Sequence, residues 1–392
     1  MMTAVHRAVA GWRLLAIAAL VALSGCATIQ RSVYSSGEQQ EATIAGIPDA
    51  RFWGDAPDAP RRMLPPISTG GGELTLLALS GGGDNGAFGA GVLNGWSRTG
   101  ARPEFSVVTG VSTGALIAPF AFLGPAYDAA LADVYTHVSA HDIYRMRFPL
   151  AIPGSVSMAD TKPLRRLIAA RLDDRMIDAI AREHRRGRRL FVGTANLDAQ
   201  RMVIWDMGAI AASDLPGRYA LFRQVLLASS SIPVLFPPVV IDAVSGGRRL
   251  QELHVDGGTT AQILTLPLQS VLDDSGGQPR QPIRLYLLVN NRLGGVFQFT
   301  KGKLGPVMKH ASGLALQSSL FALVGGTYIY ARDHDLDFNL AYIGNDFPAS
   351  DADMFDTSYM RELYAYGLRR GASGALWLKR PPGPADLVGP EP

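Results

Sequence analysis

Three short stretches of this 392-residue chain join residue types that could carry acyl-transfer chemistry. Gly110-Val111-Ser112-Thr113-Gly114 sets a serine between glycines, after an apolar run and before a helical one. Such a strand-to-helix turn must bend sharply, and the glycines leave room at the hydroxyl. The positive end of the helix dipole would then favour an alkoxide and the anion formed from an ester carbonyl. A tight turn with a capping serine is the plainer alternative. Ser80-Gly81-Gly82-Gly83-Asp84-Asn85-Gly86 also follows an apolar run and opens a helix, and its backbone amides suit an anion, either a phosphate or a developing oxyanion. A dinucleotide site would need an acidic residue ending the second strand, and Glu104 precedes its strand. A P-loop would need a lysine that is absent here. The third stretch, Asp256-Gly257-Gly258, ends a short apolar run; alone it is an ordinary turn, yet an aspartate at a strand's carboxyl end lies where open α/β sheets build their sites.

The elements that must position these residues alternate. Leu74 to Leu79 reads as a buried strand, Ala87 to Trp96 as a helix, Phe105 to Thr109 as a second strand and Ala115 onward as a second helix. That order implies parallel strands with crossover helices. It brings the glycine loop and Ser112, 29 residues after Gly83, to one sheet edge, which favours the oxyanion reading. Leu190 to Thr194 and Arg201 to Asp206 read as a hairpin through 196–199, Arg223 to Ala228 as helix, Glu252 to Val255 as a short strand and Ile283 to Asn290 as a longer one. Val307 to Tyr330 is apolar at helical period; its aromatics and leucines from Leu314 to Tyr330 read as core helix, the alternative being a membrane-inserting surface, and Thr357 to Arg370 reads as the last amphipathic helix. Pro119 falls early in the helix after Ser112, so that helix is expected to kink or be short.

Together, and in this order, the three motifs resemble the patatin-like phospholipase family, whose pattern is a GGGxxG loop, a GxSxG elbow and a DGG or DGA aspartate. Asp160-Thr161-Lys162-Pro163-Leu164-Arg165-Arg166-Leu167 and Ser229-Ser230-Ser231-Ile232-Pro233-Val234-Leu235-Phe236-Pro237-Pro238-Val239 are similar to further family segments, and the likeness spans roughly residues 74 to 270. The resemblance implies an α/β fold, a three-layer α/β/α architecture with a mainly parallel central sheet. It implies a serine acyl hydrolase acting on lipid or phospholipid esters, with Ser112 as nucleophile and Asp256 as its base, and without metal or organic cofactor. The oxyanion hole would draw on Gly81, Gly82, Gly83, Asp84 and Gly86, and Gly110, Gly114, Gly257 and Gly258 would support the motifs. An aspartate of ordinary pKa ~3.9 is a poor base near neutral pH, so such a dyad would lean on its oxyanion hole. Family members often carry Arg or Lys where this chain has Asn85, which removes a cationic contact for a headgroup; Asp84 would disfavour an anionic headgroup if it points inward.

Two readings compete. A Ser-His-Asp triad would need a histidine after the acid, and His310 or His334 would have to serve, with His254 a structural neighbour of Asp256. A non-catalytic lipid-binding envelope protein would keep the fold without the chemistry.

Composition narrows the rest. Hydrophobic residues make up 47% and charged residues 18%, against ~25% charged in an ordinary soluble domain, which argues against extended disorder. The single cysteine, Cys26, excludes internal disulfides and cysteine-ligated zinc or iron–sulfur sites. Arg7 and Arg13 precede an apolar run, Leu14 to Leu23, that is too short for a ~20-residue bilayer span. Leu23-Ser24-Gly25-Cys26 resembles a bacterial lipobox, so residues 1–25 are expected to be a signal peptide, Cys26 the lipidated residue, and the envelope, at the periplasmic face of the outer membrane, the location. Losing Arg7 and Arg13 would lower the formal charge from +3 to about +1, which argues against nucleic acid as a partner. The expected division is a signal peptide (1–25), a Pro- and Gly-rich flexible tether (26–72), a catalytic domain (73–271) and a C-terminal part (272–392) that completes the fold and ends in a disordered tail. From Lys162 to Arg189 ten cations face four carboxylates; paired surface helices and a headgroup-facing patch both fit. Oligomeric state is not legible.

Overall fold

The structure, a computed structural model, describes residues 29–64, 72–148, 155–265, 282–295, 299–300, 302–348 and 352–383. Its elements run α1 (Ser36–Gln40), β1 (Arg51–Trp53), α2 (Ala59–Met63), β2 (Leu74–Leu79), α3 (Gly86–Arg98), β3 (Val107–Val111), α4 (Thr113–Leu123), α5 (Asp128–Thr136) and α6 (Ala140–Ile143). They continue with β4 (Arg145–Met146), β5 (Ala159–Asp160), α7 (Lys162–Arg171), α8 (Asp174–Arg185), β6 (Arg189–Asn196), β7 (Arg201–Asp206), α9 (Met207–Ala212) and α10 (Arg218–Ser229). The last are β8 (Val239–Ser245), β9 (Arg248–Asp256), β10 (Ile283–Val289), α11 (Leu304–Asp333), β11 (Asp337–Tyr342) and α12 (Thr357–Ala372).

One nine-stranded sheet dominates, with β6, β3, β2, β10 and β11 parallel in that spatial order. Leu77 and Leu79 bury into the core beneath α3 and α4, while Leu76 and Ala78 bury on the opposite face beside α2 and α11. A strand that is apolar on both pleat faces needs cover on both, so the sheet becomes the middle of three α/β/α layers. β3 begins at Val107 rather than Phe105 and carries Gly110 and Val111 to the foot of Ser112. Pro119 sits inside α4, which still runs to Leu123.

Two antiparallel additions depart from the expected alternation. β7 folds back on β6, as the hairpin reading required. β9 is nine residues long rather than four and is paired along its length with β8, a strand the sequence reading passed over. Its side-chain alternation, with Val239, Ile241 and Ala243 buried and Asp242 exposed, is the half-buried period-2 pattern. β9 enters the sheet antiparallel to β6, with Thr194 opposite Asp256. Asp256 therefore arrives from beyond the carboxyl edge of the parallel strands and stops at the level of Val111, which pairs with Gly193.

The tether expected over 26–72 is corrected in its described part. α1 carries a Ser35–Glu38 capping box, β1 pairs antiparallel with β7, and α2 buries Ala59 and Met63. The guanidinium of Arg51 grips Glu252 of β9 with both nitrogens, one contact being 2.9 Å, in a pair that is almost wholly buried. High Pro and Gly content suggested a linker; the apolar Phe52, Ala59 and Met63 and the ion pair fix the segment instead. The C-terminal part contributes β10, β11, α11 and α12 to the same sheet and its cover. Residues 1–28, including Cys26, and the tail from 384 lie outside the described residues.

The expectation that Leu314 to Tyr330 is core helix holds only in part: Leu320 and Val324 are buried, while Leu314, Leu316 and Ile329 are exposed. Thirty residues at ~1.5 Å rise span about 45 Å, whereas six-residue β11 spans about 20 Å at ~3.3 Å per residue. The helix descends antiparallel to the strands into β11, and its last fourteen residues, which bury Leu320, Val324 and Ala331, match the strand's length. The first sixteen overhang the carboxyl edge of the sheet, with Leu304 80% and Leu314 64% exposed. In the basic stretch 162–189, four of the ten cations form ion pairs among the described residues: Lys162 with Asp160, Arg171 with Asp133, and Arg186 and Arg188 with Glu183.

Candidate active site

Ser112 has φ 55° and ψ −125°, a conformation that non-glycine residues rarely adopt. It is held there from below: its amide donates to Ser229 Oγ at 3.0 Å, and Ser229 Oγ donates to the carbonyl of Gly193 at 2.8 Å. Gly114 packs so closely under the elbow that a Cβ would lie 2.4 Å from the Leu79 carbonyl oxygen, and one on Gly110 would lie 2.5 Å from the Gly114 carbonyl oxygen. The Ser112 hydroxyl makes no capping bond to α4. It donates instead to Asp256 Oδ2 at 2.5 Å. The capping-serine alternative is thereby set aside.

The other oxygen of Asp256, Oδ1, accepts the Gly258 amide at 2.8 Å, and the Asp256 amide donates to the Ser231 carbonyl. Gly257 packs against Gly193, where a Cβ would meet the carbonyl oxygen at 2.4 Å. Full burial raises the Asp256 carboxyl to about 6, against the lowering pull of the Ser112 and Gly258 hydrogen bonds. The weak-base objection to an aspartate is therefore reduced by the fold itself.

The glycine loop faces this pair. Gly82 lies at φ 157° and Gly83 at φ 60°, and a Cβ on Gly82 would sit 2.2 Å from the Asn290 carbonyl oxygen. The amides of Gly82 and Gly83 donate to no other protein group among the described residues. Two members of the expected oxyanion set are corrected: the Gly81 amide is committed to the Gln262 carbonyl at 2.8 Å, and the Gly86 amide closes the turn onto the Asp84 and Gly83 carbonyls. Asp84 turns its carboxylate toward the loop before α12, accepting the Phe355 amide at 3.0 Å. Asn85 accepts from the Tyr359 hydroxyl at 2.6 Å.

Several residues that hold this loop had no motif to announce them. Asn290 donates to the Ser80 carbonyl at 2.9 Å and accepts the Gly89 amide at 3.1 Å, and Asn291 donates to the Gly81 carbonyl at 3.0 Å. Gln262 donates to the Gly258 carbonyl at 3.0 Å and so ties the glycine loop to the aspartate turn. Two asparagines ending an apolar strand at the carboxyl edge were the available signal.

Gly82, Gly83, Ser112, Asp256, Arg292 and Leu316 line a cavity of about 840 Å³ that opens at this edge. A smaller apolar cavity of about 50 Å³ adjoins at Gly83 and Thr113, between Leu116, Val138 and Leu164. No histidine lines either cavity among the described residues. His310 meets Thr300 on α11, and His334 stacks on Tyr330. His254 is buried between Glu252 and Thr194, at 3.1 and 3.0 Å, and makes no bond to Asp256. No group of His, Cys, Asp and Glu among the described residues could hold a metal ion.

Residues 77–268 match the family model described as patatin-like phospholipase, a segment that contains the glycine loop, Ser112 and Asp256. No curated protein matches the chain. Among solved structures, VipD from Legionella pneumophila is similar at 10% identity and TM-score 0.34, over 77% of this chain and 67% of that one. The SpcU–ExoU complex of the Pseudomonas aeruginosa type III secretion system is similar at 16% identity and TM-score 0.17, over 79% of this chain and 53% of that one. The segment from residue 77 to 268, which carries the glycine loop, Ser112 and Asp256, belongs to the patatin-like phospholipase family, a family of lipid acyl hydrolases.

Proposed function

We propose that this protein hydrolyses acyl esters of membrane lipids through a Ser112–Asp256 dyad. The observation that carries the reading is the 2.5 Å bond from Ser112 Oγ to a buried carboxylate that no cation among the described residues neutralises. In the reaction, Ser112 Oγ attacks the ester carbonyl as Asp256 takes its proton, and the oxyanion is held by the amides of Gly82 and Gly83. Collapse expels the lipid alcohol, which takes the proton from Asp256 and leaves acyl-Ser112. Water then attacks the acyl carbon, giving its proton to Asp256, and as the bond to Ser112 breaks Asp256 returns that proton to Ser112 Oγ and the fatty acid leaves.

Phospholipid as substrate is supported by Arg292 on the cavity wall. Its guanidinium is held by the carbonyls of Gly344, Phe347 and Pro348 and supplies positive charge in the cavity where Asn85 supplies none. Attachment to the envelope through lipidated Cys26 is part of the same proposal and rests on the lipobox-like Leu23-Ser24-Gly25-Cys26. A fluorophosphonate probe tests the nucleophile: wild type is labelled at Ser112 and Ser112→Ala is not. Absence of labelling in folded wild type would favour a non-catalytic lipid-binding role.

A further inference from the structure

The overhang of α11 leaves a half-helix with apolar side chains and little to pack against. Leu304, Val307, Met308 and Leu314 are all exposed on it, and Phe299 just before it is 81% exposed. The same half-helix lines the cavity that leads to Ser112, through Ser312, Ala315, Leu316 and Gln317. Across the cavity mouth, Pro233 and Met354 line the wall, and Val234 beside them is 73% exposed at φ 70°, a conformation that is costly for a β-branched residue. Val234 is joined through Met158 to Arg147, next to exposed Met146 and Phe148. Exposed apolar side chains from separate parts of the chain thus lie on the same segments as, or next to, residues that line one cavity.

We propose that this collar docks onto a lipid bilayer, with the overhanging half of α11 lying in the headgroup–acyl boundary, so that substrate lipid passes from the leaflet into the cavity. The proposal rests on the lipid-hydrolase reading for its substrate. Three observations select a bilayer as the occupant. The patch is continuous with the mouth of the proposed lipid site. From Leu304 to Arg332 the helix contains no Asp or Glu, while the sequence has Lys303 and Lys309 near its start, a balance that suits an anionic leaflet. The amino-terminal segment also enters the described structure at this edge: Arg31 pairs with Asp198 in the β6–β7 turn at 2.6 Å, and Cys26 is five residues earlier, a reach of at most about 18 Å. Acyl chains on Cys26 and the collar would then engage one membrane together. An apolar helix face of this kind inserts ~5–10 Å in an interfacial geometry.

The test uses the full chain. Cys26 is the only cysteine, so Leu314→Cys in a Cys26→Ser background accepts a polarity-sensitive fluorophore at one position. With vesicles of phosphatidylethanolamine and phosphatidylglycerol, the emission should shift to the blue and lose access to an aqueous quencher. No change on adding vesicles overturns the proposal, as does a shift that is already complete without lipid and scales with protein concentration, the mark of a second copy on this face. In a second arm, Val307→Asp/Met308→Asp/Leu314→Asp should keep hydrolysis of a short, monomeric nitrophenyl ester within about twofold while vesicle hydrolysis at limiting lipid falls at least about tenfold. An equal fall on both substrates, or none on vesicles, contradicts docking. If wild type cleaves neither substrate, the hydrolase reading fails, and the fluorophore still decides the surface.

Discussion

Ser112 and Asp256 are 144 residues apart in sequence, yet Ser112 Oγ and Asp256 Oδ2 lie 2.5 Å apart because two strands of opposite direction deliver them to one level of the sheet. β3 runs outward to the serine and β9 runs inward to the aspartate. The aspartate has no charged partner among the described residues, and burial raises it to about 6. Its proton affinity ties activity to pH.

Activity should depend on ionised Asp256. kcat/KM on a soluble ester is expected to rise with pH through about 6 and level off above it. A profile flat from pH 4 to 8 would contradict a base with a carboxyl raised to about 6. Asp256→Asn should cost ~10²- to 10⁴-fold in kcat at neutral pH.

The same residue should destabilise the fold when charged. Its folded pKa, about 6, exceeds the ordinary 3.8, so the folded state holds the proton more tightly. Stability is therefore lost as pH rises from about 4 to about 6, and the full cost, about 3 kcal/mol, persists above that. Asp256→Asn should raise Tm at pH 7.5 and change it little at pH 4; a lower Tm at both would contradict this.

Arg51 and Glu252 should be a stability pair. Burial alone would raise Glu252, but the His254 and Arg51 hydrogen bonds carry it down to about 2. Its contribution is present above the ordinary carboxylate pKa and is lost as pH falls toward 2. Arg51→Met leaves Glu252 with its His254 hydrogen bond but no guanidinium partner and should cost ~3–5 kcal/mol in denaturant unfolding. A loss below 1 kcal/mol would mean that the amino-terminal segment does not brace β9.

Asn290 should act through the glycine loop. Asn290→Ala frees the Ser80 carbonyl and the Gly89 amide. A stability loss of ~1–3 kcal/mol is expected. If the loop holds the oxyanion, kcat should also fall with KM nearly unchanged; a rise in KM alone would place the loop in substrate binding.

Arg292 should separate substrates. Arg292→Met is expected to weaken hydrolysis of anionic phospholipid by ~10-fold or more while sparing a neutral ester, since its charge meets only the former. An equal loss on both would assign it to holding the 344–348 loop.

The motif residues were legible because each has a local signature: glycines around a serine between strand and helix, a run of three glycines, an aspartate before two more. The support residues Asn290, Asn291, Gln262 and Ser229 were not, because each acts through a single long-range bond that leaves no periodic trace. Gly81 and Gly82 look equivalent in sequence, and only tertiary pairing with Gln262 takes the Gly81 amide out of use. The amino-terminal segment was misread because composition cannot see Arg51 finding Glu252 across 201 residues. α11 was read correctly only in its second half, because a helical apolar period does not say how much of a helix the sheet is long enough to cover.

The central claim is that Ser112 is the nucleophile of a lipid acyl hydrolase. Fatty-acid release from vesicles of phosphatidylethanolamine and phosphatidylglycerol, measured for wild type and Ser112→Ala at matched folded concentration, tests it most directly. The account predicts turnover by wild type and a drop of ~10⁴-fold or more in the variant. Equal release by both proteins would contradict it.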